Sequence, residues 1–98
     1  MKHAGRGALD ALEDLLVKLR RHEALSERKR GTFYRKSSAF LHFHEDPAGL
    51  FADVKIDGEF ARFRVGTAKE RVALLHAVAG ELARVSRAAR AAARTPRA

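Results

Sequence analysis

The dipeptide Asp57-Gly58 constrains the fold of this chain more than any other feature. It separates Leu50-Phe51-Ala52-Asp53-Val54-Lys55-Ile56 from Glu59-Phe60-Ala61-Arg62-Phe63-Arg64-Val65. Both runs alternate and are rich in β-branched and aromatic residues, as half-buried strands are. Asp-Gly tolerates the positive φ angles of a type I′ turn, whose twist matches that of the flanking strands. A two-residue turn sets the pairing, and a slip of one residue would exchange the two faces of the sheet. Here it pairs Ile56 with Glu59, Asp53 with Arg62 and Phe51 with Arg64.

Two further turns extend the pattern. Asp46-Pro47-Ala48-Gly49 places proline and glycine where turns want them, so Glu45 pairs with Leu50 and His42 with Asp53. Ser37-Ser38 is a weaker signal; as a turn it pairs Phe33 with His42 and Arg35 with Phe40. The strands Thr32-Phe33-Tyr34-Arg35 and Ala39 to Glu45 complete a four-stranded meander. Connections this short cannot make parallel crossovers, so the sheet is antiparallel.

Helices flank the meander. Leu9, Leu12, Leu15, Leu16 and Leu19 form one apolar stripe on a helix expected over about Ala8 to Arg21. Asp10, Glu13 and Asp14 lie in its first half and Lys18, Arg20 and Arg21 in its last, an order that suits the helix dipole. His22 to Arg30 reads as a charged connector ending at Gly31. Thr67-Ala68-Lys69-Glu70 matches a capping box and opens the second helix. Val72, Leu75, Ala79 and Leu82 are its expected stripe, with Val78 and Val85 at the margin, and Pro96 is its expected stop. The expected fold is α+β: helix, four-stranded antiparallel meander, helix, with both helices on one sheet face. The expected organisation is an unstructured N-terminus over 1–7, one domain over 8–85 and an Ala/Arg-rich, partly helical tail over 86–98.

The register sorts the strand residues. One face carries Tyr34, Leu41, Phe43, Leu50, Ala52, Val54, Ile56, Ala61, Phe63 and Val65, a core that the helix stripes can cover. The other carries Phe33, Arg35, Phe40, His42, His44, Phe51, Asp53, Lys55, Phe60, Arg62 and Arg64. Its rows are Phe33–His42–Asp53–Arg62, His44–Phe51–Arg64 and Arg35–Phe40–Lys55–Phe60. Four phenylalanines on a nominally solvated face call for an explanation.

Composition narrows what that face can do. No residue is cysteine, which excludes disulfide frameworks, zinc ribbons and thiol chemistry. No apolar run reaches the roughly 20 residues of a membrane span, and the first residues lack the apolar segment of a secretory signal, so the cytoplasm is the expected compartment. Of the net charge of +8, five arginines (Arg84, Arg87, Arg90, Arg94 and Arg97) lie in the last stretch, which holds no acid. That tail reads first as a solvated helix end, and second as a phosphate-binding segment.

Three chemistries fit the second face. Aromatic and arginine side chains together suit a protein interface, with a second copy or another protein. Rings interleaved with cations also suit single-stranded nucleic acid or another anionic ligand. Two histidines and a carboxylate, His42, His44 and Asp53, are a metal-ligand set, although Arg62 opposite Asp53 competes for the carboxylate. As an opposite-charge pair across strands, Asp53 and Arg62 are also self-consistent without any ligand. His42 held by Asp53 could act as a general base, but Ser37 and Ser38 sit in a turn and offer it no nucleophile. The balance favours a non-enzymatic binding or assembly module, homodimeric, with no cofactor expected and no catalytic residue assigned.

The stretches Glu27-Arg28-Lys29-Arg30-Gly31-Thr32-Phe33-Tyr34-Arg35-Lys36 and Ala39-Phe40-Leu41-His42-Phe43-His44-Glu45-Asp46-Pro47-Ala48-Gly49-Leu50-Phe51-Ala52-Asp53-Val54 resemble those of a small uncharacterised bacterial family of similar length. The resemblance runs from the first helix to about Leu82. It supports one domain over that span and implies no activity, cofactor, partner or site residue.

Overall fold

A computed structural model of the chain describes residues 1–94. The element order is β1 (Lys2–His3), α1 (Arg6–Ala11), α2 (Glu13–Leu19), β2 (Leu25–Lys29), β3 (Thr32–Arg35), β4 (Ser38–Asp46), β5 (Gly49–Ile56), β6 (Glu59–Arg64) and α3 (Ala68–Arg94). The fold is α+β around an antiparallel sheet, as expected, but the sheet has six strands rather than four. Strands β2 to β6 form a meander in chain order, and β1 pairs with β4. No helix among the described residues is long and apolar enough to cross a membrane. The expected helix stop at Pro96 and the charge at Arg97 lie outside the described residues.

The two stronger turns set the register read from the sequence. Asp57 (φ 51°) and Gly58 (φ 85°) take the two positive angles of a type I′ turn, and Ile56 pairs with Glu59, Asp53 with Arg62 and Phe51 with Arg64. Across β4 and β5, His42 pairs with Asp53 and His44 with Phe51. That hairpin closes further than expected, because Asp46 pairs with Gly49 and leaves only Pro47 and Ala48 in the turn. The Asp46 carboxylate accepts the Ala48 N–H at 3.0 Å, as an aspartate in a turn does.

The third turn differs. Lys36, at φ 57°, takes a turn position, and Arg35 pairs with Ser38 rather than with Phe40. Phe33 pairs with Leu41 and Tyr34 with Ala39, so Phe40 is an extra residue in β4. Such a bulge bends the strand and turns two successive side chains to one side. Phe40 and Leu41 are both buried, at 4 % and 0 % exposure. The bulge therefore corrects the placement of Phe33 and Phe40: both belong to the buried core, with Leu41, Phe43, Ala52, Val54 and Val65. Tyr34 leaves that core, and its ring carries the Arg28 guanidinium 4.2 Å from its centre.

The five leucines of the first stripe are buried as expected, and join the same core cluster as Leu74 and Val78 of α3. Their helix is divided at Leu12 (φ −97°, ψ 4°), whose N–H is shared between the carbonyls of Ala8 and Leu9. The α3 stripe is rotated from the expected one. Leu74 and Val78 form its buried centre and Leu75 and Leu82 its flanks, whereas Val72 is half exposed. Glu81 also lies on the buried side, where its carboxylate accepts the Asp57 N–H of the β5–β6 turn at 3.2 Å and pairs with Arg84 at 2.9 Å. The capping box forms: Thr67 N–H donates to Glu70 Oε1 at 3.0 Å, and Glu70 N–H to Thr67 Oγ1 at 3.1 Å. From Ser86 to Ala92 every residue of α3 is exposed.

The connector expected over His22 to Arg30 is corrected to contain β2. Its single apolar residue, Leu25, packs on the core, and Glu27 points the same way to accept from Arg20 and from the Gly31 N–H at 2.8 Å. Arg30 then reaches Asp10 at 2.7 Å and Glu13 at 2.9 Å. These ion pairs lie at the surface, so they fix the seating of α1 and α2 more than they add stability.

Candidate functional site on the open sheet face

The face of the sheet opposite the core is where the expected site residues meet. Its central row is His42–Asp53–Arg62 and its next row is His44–Phe51–Arg64, both in the expected register. The second row gains a residue from the N-terminus. Lys2–His3, within the segment expected to be unstructured, pair with Glu45 and His44 on the edge of β4 that the short strand β3 leaves free. Paired residues share a face, so His3 stands beside His44. The ring centres are 4.8 Å apart for His3–His44, 4.8 Å for His42–His44 and 5.8 Å for His3–His42. A two-residue strand has no periodicity to read, and the Lys2-His3 pair carried no sequence signal of its role.

Asp53 is the hub of this cluster. It is 9 % exposed, one of two charged residues, with Glu81, that are buried among the described residues. Arg62 grips it with two parallel hydrogen bonds, Nε to Oδ1 at 2.8 Å and Nη2 to Oδ2 at 2.9 Å. His44 Nε2 lies 3.2 Å and His42 Nε2 3.6 Å from the same Oδ2. The arginine beside it holds the Asp53 carboxyl below the usual carboxylate range, against the opposing effect of burial. Burial, followed by the neighbouring His44, moves the His42 imidazole below its ordinary value.

His44 has a different environment. Its side chain is 12 % exposed. Both ring nitrogens are shut off from solvent, and neither makes a hydrogen bond among the described residues. The 3.2 Å approach of Nε2 to Asp53 is close enough for one but is not aligned as one. Buried polar atoms are satisfied in the great majority of cases, so the exception here marks a strained or ligand-ready group.

The phenylalanines divide. Phe33 and Phe40 are in the core, as described. Phe51 is 7 % exposed yet lies outside the core cluster, roofed by the Arg64 guanidinium 5.1 Å from its ring centre. Phe60 is 47 % exposed, in edge-on contact with His42 at 5.2 Å and with the Lys55 ammonium 5.3 Å above its ring. Arg35 is also displaced from the expected face: it lines a cleft with Phe40, Glu81 and Arg84. The site is therefore a grid of His3, His42, His44, Phe51, Asp53, Phe60, Arg62 and Arg64, without Phe33, Arg35 or Phe40. Comparison with protein-family models, curated proteins and solved structures finds no match for this chain.

Proposed function

We propose that this chain is a small non-enzymatic binding module that works as a homodimer, through the open face of its sheet and the adjoining edge strand β6. The observation that carries the reading is Phe60. It stands on the open face and on the edge strand at once, 47 % exposed, among Lys55, His42 and Arg62. The helix leucines all join the core on the other side, and β6 pairs only with β5 among the described residues. An unpaired edge is a template for another strand, and aromatic and arginine side chains are enriched where proteins meet. The charges suit a like partner, because Asp53 and Arg62 neutralise each other and the grid is not a field of one sign. Nucleic acid fits less well, since stacking needs successive open rings and Phe33, Phe40 and Phe51 are covered.

Sedimentation equilibrium over a wide concentration range tests this. The wild-type chain is expected to dimerise, and Phe60→Glu to remain monomeric with an unchanged circular dichroism spectrum. A wild-type chain that stays monomeric at the highest concentration, or a Phe60→Glu variant that dimerises equally well, sinks the reading.

A further inference from the structure

We propose that His42, His44 and Asp53 bind a divalent first-row transition-metal ion of the zinc class, with the His3 imidazole beside them as a further ligand from β1. This goes beyond the dimer reading and does not depend on it.

One nitrogen or oxygen from each of His42, His44 and Asp53 falls within a group whose members all lie within 4.8 Å of one another. Zinc holds imidazole nitrogen and carboxylate oxygen at about 2.0–2.2 Å in a tetrahedron, which puts neighbouring ligand atoms roughly 3.3–3.5 Å apart. The two separations from Asp53 Oδ2, 3.2 Å to His44 Nε2 and 3.6 Å to His42 Nε2, bracket that spacing. Three imidazoles around one such ion stand with ring centres about 5 Å apart. The three histidine rings of this face are 4.8, 4.8 and 5.8 Å apart.

The second observation is the buried, unpartnered pair of nitrogens on His44. A histidine placed only for packing would ordinarily find a donor or acceptor for at least one of them. A metal ion supplies the missing partner for Nε2 and removes the misaligned contact with the carboxylate. The ligands also come from rigid neighbours. His42 and His44 are alternate residues of β4, and Asp53 is opposite His42 on β5, so the sheet holds three donors without ordering a loop.

Arg62 is the opposing charge, and its place tells how the site tolerates it. Its side chain is 50 % exposed and approaches Asp53 from β6, while both histidines approach from β4. A carboxylate oxygen has two lone pairs, so Oδ2 can accept from Arg62 and face the ion. In that arrangement Arg62 orients the ligand carboxylate, as outer partners of metal ligands do. Nitrogen-rich ligand sets with one carboxylate suit zinc, copper, nickel or iron rather than magnesium or calcium.

The test is calorimetric titration of the whole chain with zinc chloride, after treatment with chelator and dialysis, with magnesium chloride in parallel. Cobalt(II) replaces zinc in a second series, read by its visible absorption. One equivalent of zinc per chain, no magnesium binding and a tetrahedral cobalt spectrum are expected. His42→Ala and His44→Ala are each expected to weaken zinc by about tenfold or more, and His3→Ala to weaken it and alter the cobalt spectrum. His76→Ala, on the exposed side of α3, is the control and is expected to bind as wild type. Circular dichroism of each variant separates loss of the site from loss of the fold. Absence of zinc binding by the folded wild-type chain overturns the proposal, as does zinc binding that folded His42→Ala and His44→Ala retain in full. A monomer that binds zinc refutes only the dimer, and a dimer that does not bind zinc refutes only the metal site.

Discussion

Asp53 and Arg62 face each other across β5 and β6 and are joined by two parallel hydrogen bonds, of 2.8 and 2.9 Å. The carboxylate is nearly closed to solvent and the guanidinium is half open. The pair is therefore not a buried salt bridge in the full sense, and its worth is discounted for the water around Arg62. Asp53→Asn is expected to cost about 1–2 kcal/mol, and Arg62→Met less, because its guanidinium is open to water. Urea denaturation of the two single variants and the double variant checks this in metal-free protein. A favourable, non-additive coupling between the two is expected; strictly additive effects would show that the pair contributes nothing.

Glu81 links α3 to the β5–β6 turn, and it gives the fold an acid-sensitive joint. Its hydrogen bonds from Arg84, and then from the Asp57 backbone, hold its carboxyl below the usual range despite burial. A carboxyl lowered in the folded state stabilises the fold above its unfolded pKa of about 4.3. That contribution fades as the pH falls through the lower, folded value. Glu81→Gln is expected to lower the melting temperature at neutral pH and to flatten its decline in acid. Thermal unfolding from pH 7 to pH 3 measures both, and parallel profiles for the two proteins would dismiss the joint.

Gly31 ends the β2–β3 turn at φ 80°, with Leu9 of α1 against it. A Cβ there would lie 2.6 Å from Leu9 Cδ2. Gly31→Ala thus adds an overpacked contact to a left-handed backbone, and about 2–3 kcal/mol of destabilisation is expected. Gly58 has a similar φ of 85° but open space around it. Gly58→Ala is expected to cost only about 1–2 kcal/mol, from the backbone alone. Equal losses for the two variants in urea would mean that Leu9 simply moves aside.

What the sequence made legible follows the chemistry of its turns. Asp57-Gly58 and Asp46 to Gly49 contain residues that accept unusual backbone angles, and the register they imply placed His42, Asp53 and Arg62 in one row. Ser37-Ser38 has no such preference. Lys36 took the left-handed position instead, and the bulge at Phe40 took back only part of the resulting shift, so Phe33 meets Leu41 rather than His42. β2 was hidden because an edge strand can be polar, and only Leu25 in Leu25–Lys29 is apolar. In α3 the Leu74-Leu75 doublet allows two phases. The packing selected the one that puts Glu81 inward, because the turn amide of Asp57 waits there for an acceptor. The site lost Phe33 and Phe40 to the bulge and gained His3 from a strand too short to show a pattern.

The same bulge separates two phenylalanines that a simple alternation puts on one face. Phe33 is 1 % exposed within the core cluster, whereas Phe60 is 47 % exposed. Removing a buried ring forfeits its transfer free energy and leaves a cavity, so Phe33→Ala is expected to cost about 3–5 kcal/mol. Phe60→Ala loses the edge contact with His42 and the Lys55 ammonium and little else. Its expected cost is below about 1 kcal/mol in dilute, monomeric protein. Urea denaturation at low protein concentration makes the comparison. Equal costs would return Phe33 to the open face, away from the core in which Phe40 and Leu41 now enclose it.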